Sequence, residues 1–175
     1  MDTMASLRPV RPEDEGFLYD VYASTRTEEL SVTGWTDLQK EQFLQMQFGA
    51  QHQYYKQQFP QAEFQIILLQ NRPIGRLYVD RRQDEIRIID IALLTEYRNA
   101  GIGSMFLQKM MAEAKKKGKL IRIHVETYNP ALRLYRRLGF REIENQGVYL
   151  LMEWSPVVGQ HVPVDQPAGR PELNK

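Results

Sequence analysis

The stretch that most narrows what this chain can fold into is Arg98-Asn99-Ala100-Gly101-Ile102-Gly103-Ser104. It joins an apolar, strand-like run, Ile88 to Leu94, to a helical pattern from Ile102 to Lys117. Leu107, Met110, Met111 and Ala114 recur in that helix at the spacing of one buried face. A helix that crosses over from a strand leads to a parallel neighbour. Leu120 to Val125, with Ile121, Ile123 and Val125 alternating against Arg122 and His124, is the strand that follows. Gly101 and Gly103 let the backbone turn sharply and approach a bound group. The first N–H groups of the helix and the positive end of its dipole face the same space. That arrangement holds a phosphate or pyrophosphate.

Composition sets the outer limits. A length of 175 residues with 42% hydrophobic residues suits one domain with a sizeable core. Lys and Arg number 23 against 22 Asp and Glu, a net charge of +1, which argues against nucleic acid or an anionic membrane as the main partner. The chain has no cysteine, so disulfides, thiolate catalysis and Cys-based zinc sites are excluded. His52, His124 and His161 are too scattered for a metal cluster, and no metal is expected. No run approaches a membrane span, and Met1 to Leu7 lacks the apolar centre of a signal peptide, so a cytoplasmic setting is the default expectation.

Along the chain, Leu7 to Val10 reads as a strand. Pro12 opens a helix with Glu13, Asp14 and Glu15 in its first turn and an apolar stripe of Phe17, Leu18, Val21 and Tyr22. Ser24 to Thr36 reads as a loop, and Thr36 or Asp37 caps a second helix running to about Gln58. Strands are predicted over Phe64 to Leu69, Ile74 to Val79 and Glu85 to Leu94. Gly118 stops the helix of the glycine junction behind Lys115, Lys116 and Lys117, cations that suit a helix C-terminus. Asn129-Pro130 caps and starts a short helix to Leu138; Phe140 to Ile143 and Val148 to Trp154 close as a hairpin. The domain spans 1–155, and the proline-rich stretch 156–175 is expected to be a flexible tail. The order implies an α/β chain with a mixed sheet and helices on both faces.

The junction is not a Rossmann fingerprint, which needs a third glycine, nor a P-loop, which needs Gly-Lys-Ser/Thr. Arg-x-x-Gly-x-Gly remains, compatible also with a plain strand-to-helix turn. Downstream comes Asn129-Pro130-Ala131-Leu132-Arg133-Leu134-Tyr135-Arg136-Arg137-Leu138-Gly139-Phe140. With both segments in view, the chain resembles the GNAT superfamily of N-acetyltransferases. That family pairs a strand ending Ala-Val-x-Pro-x-x-Arg-x-x-Gly-x-Gly with a later Asn-x-x-Ala-x-x-Leu-Tyr-x-x-x-Gly-Phe. The matching text is Ile91 to Gly103, with Thr95 where proline is usual, then Asn129 to Phe140. Leu7 to Asp14 is similar to the family's opening, and the resemblance covers about Ser6 to Trp154.

The resemblance implies a mixed, mostly antiparallel seven-stranded sheet flanked by about four helices, and acetyl-CoA as cosubstrate. It implies that the turn Asn99, Ala100, Gly101, Ile102, Gly103 and Ser104 holds the pyrophosphate. Arg98 opens this turn as a contact or as a solvated charge. Ile91, Ala92 and Leu93 would bond the pantetheine arm from a strand that splays from the next, one N–H facing the thioester carbonyl. Asn129 and Leu132 would lie against the same cofactor. Tyr135 takes the position of the general acid that protonates the leaving thiolate; its alternative is a core tyrosine.

For the base, Asp90 interrupts an apolar run, where an isolated carboxylate is costly and desolvation raises its pKa. The alternative is a structural carboxylate paired with an arginine or an N–H. Glu85 and Glu126 read as surface charges and weaker bases, and a water relay is a further route. An acceptor pocket is expected at Ser24 to Thr36 and the hairpin around Asn145 to Val148; Glu28 and Glu29 either attract a cationic amine or are solvated loop charges, and Trp35 and Tyr22 are either pocket walls or core aromatics. The expected function is acetyl transfer to a small-molecule or peptide amine in a ternary complex, by a plausible homodimer. The alternatives are a non-catalytic acyl-CoA-binding or regulatory domain of the same fold and a nucleotide-binding interaction protein.

Overall fold

The first strand and helix are set by one carboxylate. Asp14 accepts a forked pair of hydrogen bonds from Arg8, Nη1 to Oδ2 at 2.7 Å and Nη2 to Oδ1 at 2.8 Å. It also takes the Arg11 N–H at 2.7 Å. In the computed structural model, which describes residues 4–157, these bonds fasten β1 (Ala5–Pro9) to the 3-10 turn Pro12–Asp14 and to α1 (Glu15–Ser24). Side-chain bonding to Arg8 holds the carboxyl below its ordinary value, against the opposing effect of burial. A carboxyl depressed in the folded state stabilises above its unfolded pKa, and the contribution is lost as pH falls through the folded value. Asp14→Asn should therefore cost about 1–2 kcal/mol at pH 7. The gap from wild type should close below the ordinary aspartate value of about 3.9, read from urea midpoints across an acid pH series.

Next come α2 (Thr27–Ser31) and α3 (Asp37–Gln58), the latter opened by a capping box in which Thr36 Oγ1 accepts from Gln39 N at 3.2 Å. Then follow β2 (Glu63–Leu69), β3 (Arg72–Arg81), β4 (Glu85–Leu93), α4 (Ile102–Lys117), β5 (Leu120–Glu126), α5 (Leu132–Arg137), β6 (Arg141–Asn145) and β7 (Tyr149–Trp154). They form a seven-stranded sheet in the order β1-β2-β3-β4-β5-β7-β6, antiparallel except for the β4–β5 pair that α4 connects. Strand alternation sends Ile86, Ile88, Ile121 and Ile123 to one face, under Phe106, Leu107 and Met110 of α4. The other face puts Ile66, Tyr78 and Ile89 against Leu18 and Tyr22 of α1 and Phe48 and Tyr55 of α3.

Several boundaries depart from the sequence reading. Ser24 to Thr36 is not all loop: α2 forms there, so the described residues hold five α-helices rather than about four. Its one buried apolar anchor is Leu30, too little to show as a periodicity. α5 starts at Leu132, not Pro130, because Asn129 Oδ1 takes the Ala131 N–H at 2.9 Å and folds the preceding residues into a turn. Of the expected tail, residues 158–175 lie outside the described residues.

The N-terminal end of β4 carries a buried ionic layer. Glu85, Arg87, Arg122 and Glu153 are each at most 4% exposed. Glu85 Oε1 accepts from Arg82 at 2.8 Å and from Arg87 at 3.2 Å, and Oε2 from Arg122 at 3.2 Å. Arg122 Nε reaches Glu153 at 2.8 Å. Glu85 is thus a structural hub at the far end of the strand, not the surface charge expected from its position.

Candidate active site

β4 and β5 pair only from Glu85↔Leu120 to Ile88↔Ile123. Beyond that point β5 runs on against β7 as far as Glu126, while β4 stays with β3. The cause lies in β4 itself. The register with β3 shifts between Tyr78↔Asp90 and Val79↔Ile88, so Ile89 is an extra residue, and such a bulge bends its strand. Past the bulge β4 leans hard on β3. A Cβ on Gly75 would stand 2.3 Å from the Ala92 carbonyl oxygen, so only glycine admits this approach. Asp90 to Leu93, buried on neither side as fully as Glu85 to Ile89, form one lip of an open V.

At the end of that lip the 3-10 turn Thr95–Tyr97 leads into the glycine junction. Asn99 (φ +60°) and Gly101 (φ +83°) are left-handed, and α4 begins at Ile102. The first backbone bond of the helix is Met105 N–H to Gly101 O at 3.0 Å. Among the described residues the N–H groups of Gly101, Ile102, Gly103 and Ser104 have no acceptor, no side chain caps them, and the first turn holds no acidic residue. A Cβ on Gly101 or Gly103 would meet nothing within 4 Å. Four free donors, a positive dipole end and open space fit a pyrophosphate.

On the other side of the V, α5 supplies Tyr135. It is 4% exposed, its ring lies 5.6 Å from Phe140 edge-on, and its hydroxyl bonds to no described residue. Burial pushes the phenol well above its usual value, and the carboxylates of Asp90 and Glu126 add to the shift. Asp90 is therefore close enough for its charge to act on the phenol. Of the two readings the sequence left open, isolated or paired with an arginine, the pair is present: Arg76 of β3, 3% exposed, meets Asp90 through Nη2. That contact is an ion pair rather than an aligned hydrogen bond, since Arg76 Nε and Asp90 Oδ2 both lack an aligned partner. Arg76 also donates to Gln51 Oε1 at 2.9 Å and lies 5.1 Å over the Tyr78 ring.

The remaining residues divide. Arg98 is exposed but not a free charge: Nε donates to Leu93 O at 2.9 Å and Nη2 to Ser24 Oγ at 3.1 Å. Leu132 is buried in the core beside α4. Asn129 holds the turn before α5, with Nδ2 on Glu126 Oε2 at 3.3 Å. Counted back from Tyr135, the motif's Asn falls on Tyr128, one residue before Asn129. Tyr128 is the residue that spacing should have singled out; its hydroxyl meets Arg26 Nη1 at 3.3 Å. Glu29 is paired with Arg26, Tyr22 is sealed in the core, and Trp35, 40% exposed, rests on Phe43. No group of side chains among the described residues could hold a metal ion, and no described helix is long and apolar enough to cross a membrane.

The model of the acetyltransferase (GNAT) family matches residues 32–140. The chain belongs to the GNAT acetyltransferase family. It is 30% identical over 79 residues to a [Ribosomal protein bS18]-alanine N-acetyltransferase from Haemophilus influenzae. That match takes in 45% of this chain and 54% of the relative, so the chain spans about half the length of the curated relative it matches. Among solved structures, the PaiA N-acetyltransferase of Thermoplasma acidophilum in complex with coenzyme A shares the fold with a TM-score of 0.66 at 19% identity, over 87% of this chain and 99% of that one. Arabidopsis thaliana Naa50 in complex with the bisubstrate analogue CoA-Ac-MVNAL superimposes with a TM-score of 0.56 at 18% identity, over 86% and 98%. The family model gives the family, and the solved structures share its fold.

Proposed function

We propose that this GNAT acetyltransferase moves an acetyl group from acetyl-CoA to a primary amine, by direct attack in a ternary complex, and that the amine is the free N-terminus of a peptide or protein. The observation that carries the reading is the parting of β4 and β5 beside an uncapped helix start. One arm of a ligand can lie along Ile91 to Leu93 as an added strand while its phosphates meet the N–H groups of Gly101 to Ser104. Bound acetyl-CoA supplies an acyl group already activated as a thioester.

The chain's own groups do the rest. A main-chain N–H of the Ile91–Leu93 stretch donates to the thioester carbonyl, an interaction worth ~3 kcal/mol of barrier in such sites. Asp90, kept beside Arg76, or a water next to it takes the proton of the amine. Tyr135 gives its proton to the sulfur. An α-amine with a pKa near 7.7–8.0 arrives partly neutral, whereas a lysine near 10.4 does not, so a carboxylate already paired with an arginine suits the former. The curated relative from Haemophilus influenzae and Naa50 with its peptide conjugate lend the acceptor class its support.

The test is thiol release from acetyl-CoA with short peptides carrying a free N-terminus, against the same peptides blocked at the N-terminus but holding an internal lysine. Acetylation confined to the free-N-terminal set is expected. Transfer to lysine alone would replace the acceptor class. Coenzyme A binding without turnover on any amine would favour a non-catalytic acyl-CoA-binding domain of this fold.

A further inference from the structure

One short segment of chain is tied to both lips of the cleft. On the β4 side, Arg98 spans from Leu93 O at 2.9 Å to Ser24 Oγ at 3.1 Å. Ser24 is the last residue of α1, and its hydroxyl also donates to Val21 O at 2.7 Å. On the β5 side, Arg26 Nη1 meets the Tyr128 hydroxyl at 3.3 Å and Glu29 Oε2 at 3.0 Å. Arg26 is itself seated, its guanidinium carbon 5.5 Å over the buried Tyr22 ring. The corner between α1 and α2 thus bridges the two points where β4 and β5 have come apart. Tyr128 reaches Arg26 from the position where the motif carries asparagine, a side chain shorter by a ring.

We propose that Arg98 and Tyr128 are positioning residues that clamp the Ser24–Glu29 corner across the mouth of the V, and that this corner is the wall against which the acceptor amine is held. The proposal rests on the acetyltransferase reading. Arg98 joins the pyrophosphate turn to the acceptor wall, so the frame of the cofactor cleft also sets where the nucleophile sits. Each tie is a solvent-facing hydrogen bond, worth about three- to tenfold in an equilibrium. A misplaced wall weakens acceptor binding first, so the change falls on KM.

Tyr128→Phe and Ser24→Ala each remove one tie without opening a cavity, and Ser24→Thr keeps the hydroxyl. Three measurements decide: coenzyme A affinity by calorimetry, acetyl transfer to a free-N-terminal peptide at saturating acetyl-CoA, and hydrogen exchange of the amides of residues 25–31. For Tyr128→Phe and Ser24→Ala the expected result is coenzyme A affinity within about twofold of wild type, peptide KM raised about three- to tenfold, and faster exchange in that segment; Ser24→Thr should restore both. A rise in the coenzyme A Kd with unaltered peptide KM would overturn the proposal and assign the ties to the cofactor. Should wild type acetylate no amine, the acetyltransferase reading fails on its own. The exchange comparison still decides the clamp, because unaltered exchange in both variants overturns it.

Discussion

Tyr135→Phe is expected to lower kcat by about 100-fold or more while leaving coenzyme A affinity unchanged. The substitution removes one atom that bonds to no described residue and keeps the ring packed on Phe140. Its effect on stability should therefore be small. The proton matters because a thiol of ordinary pKa, near 8.5, leaves poorly as a free thiolate from a water-poor site. Burial keeps the phenol protonated beyond its usual range, so the acid form persists across the working pH. The sign follows: loss of this proton should not limit the rate below the ordinary tyrosine value of about 10. Any alkaline fall at lower pH must come from another group. Thiol release and calorimetry on the same preparations check both halves, and an unaltered rate would remove Tyr135 from the chemistry.

The largest stability effect is expected at the opposite end of β4. Glu85→Ala should destabilise the fold by about 3–5 kcal/mol, because it leaves Arg87 and Arg122 buried with their shared carboxylate gone. For a chain of this size that is a fall in Tm of roughly 10 °C, read by thermal melting and urea titration. Glu63→Ala is the control. Glu63 also pairs with an arginine, Arg81, but half in solvent, and its loss should cost about 1 kcal/mol or less. Six strand steps, about 20 Å, separate Glu85 from Ile91. Coenzyme A affinity of the folded fraction should be untouched.

The helix of the glycine junction was legible to the residue, Ile102 to Lys117, because glycine brackets it at both ends and its apolar stripe is regular. The two glycines and the strand before them also located the uncapped helix start and the open space beside it. What stayed hidden was everything decided by pairing across the sheet. Asp90 could be read as isolated or as paired with an arginine, but not with which one, because Arg76 lies on another strand, brought beside it by the β3–β4 register. Glu85 read as surface because it stands near the far end of its strand, yet β5 beside it and three arginines bury it. Arg98 read as a phosphate contact or a free charge, since neither Ser24 nor the Leu93 carbonyl is marked in the sequence as its partner. Tyr128 was countable from the motif, but Asn129 beside it drew the assignment.

Ile89 shows how little covalent material separates a closed sheet from a receptive one. Strand geometry has a parity, so one surplus residue exchanges inward for outward along everything that follows. Upstream of it, Ile86 and Ile88 point to α4; downstream, the same alternation resumes half a period out of step. Without that surplus residue Asp90 would hang on the opposite side of the sheet from Arg76, and the strand would have no reason to bend away from its parallel mate. An odd or even count, rather than any reactive group, decides whether this protein has somewhere to put a long, thin guest.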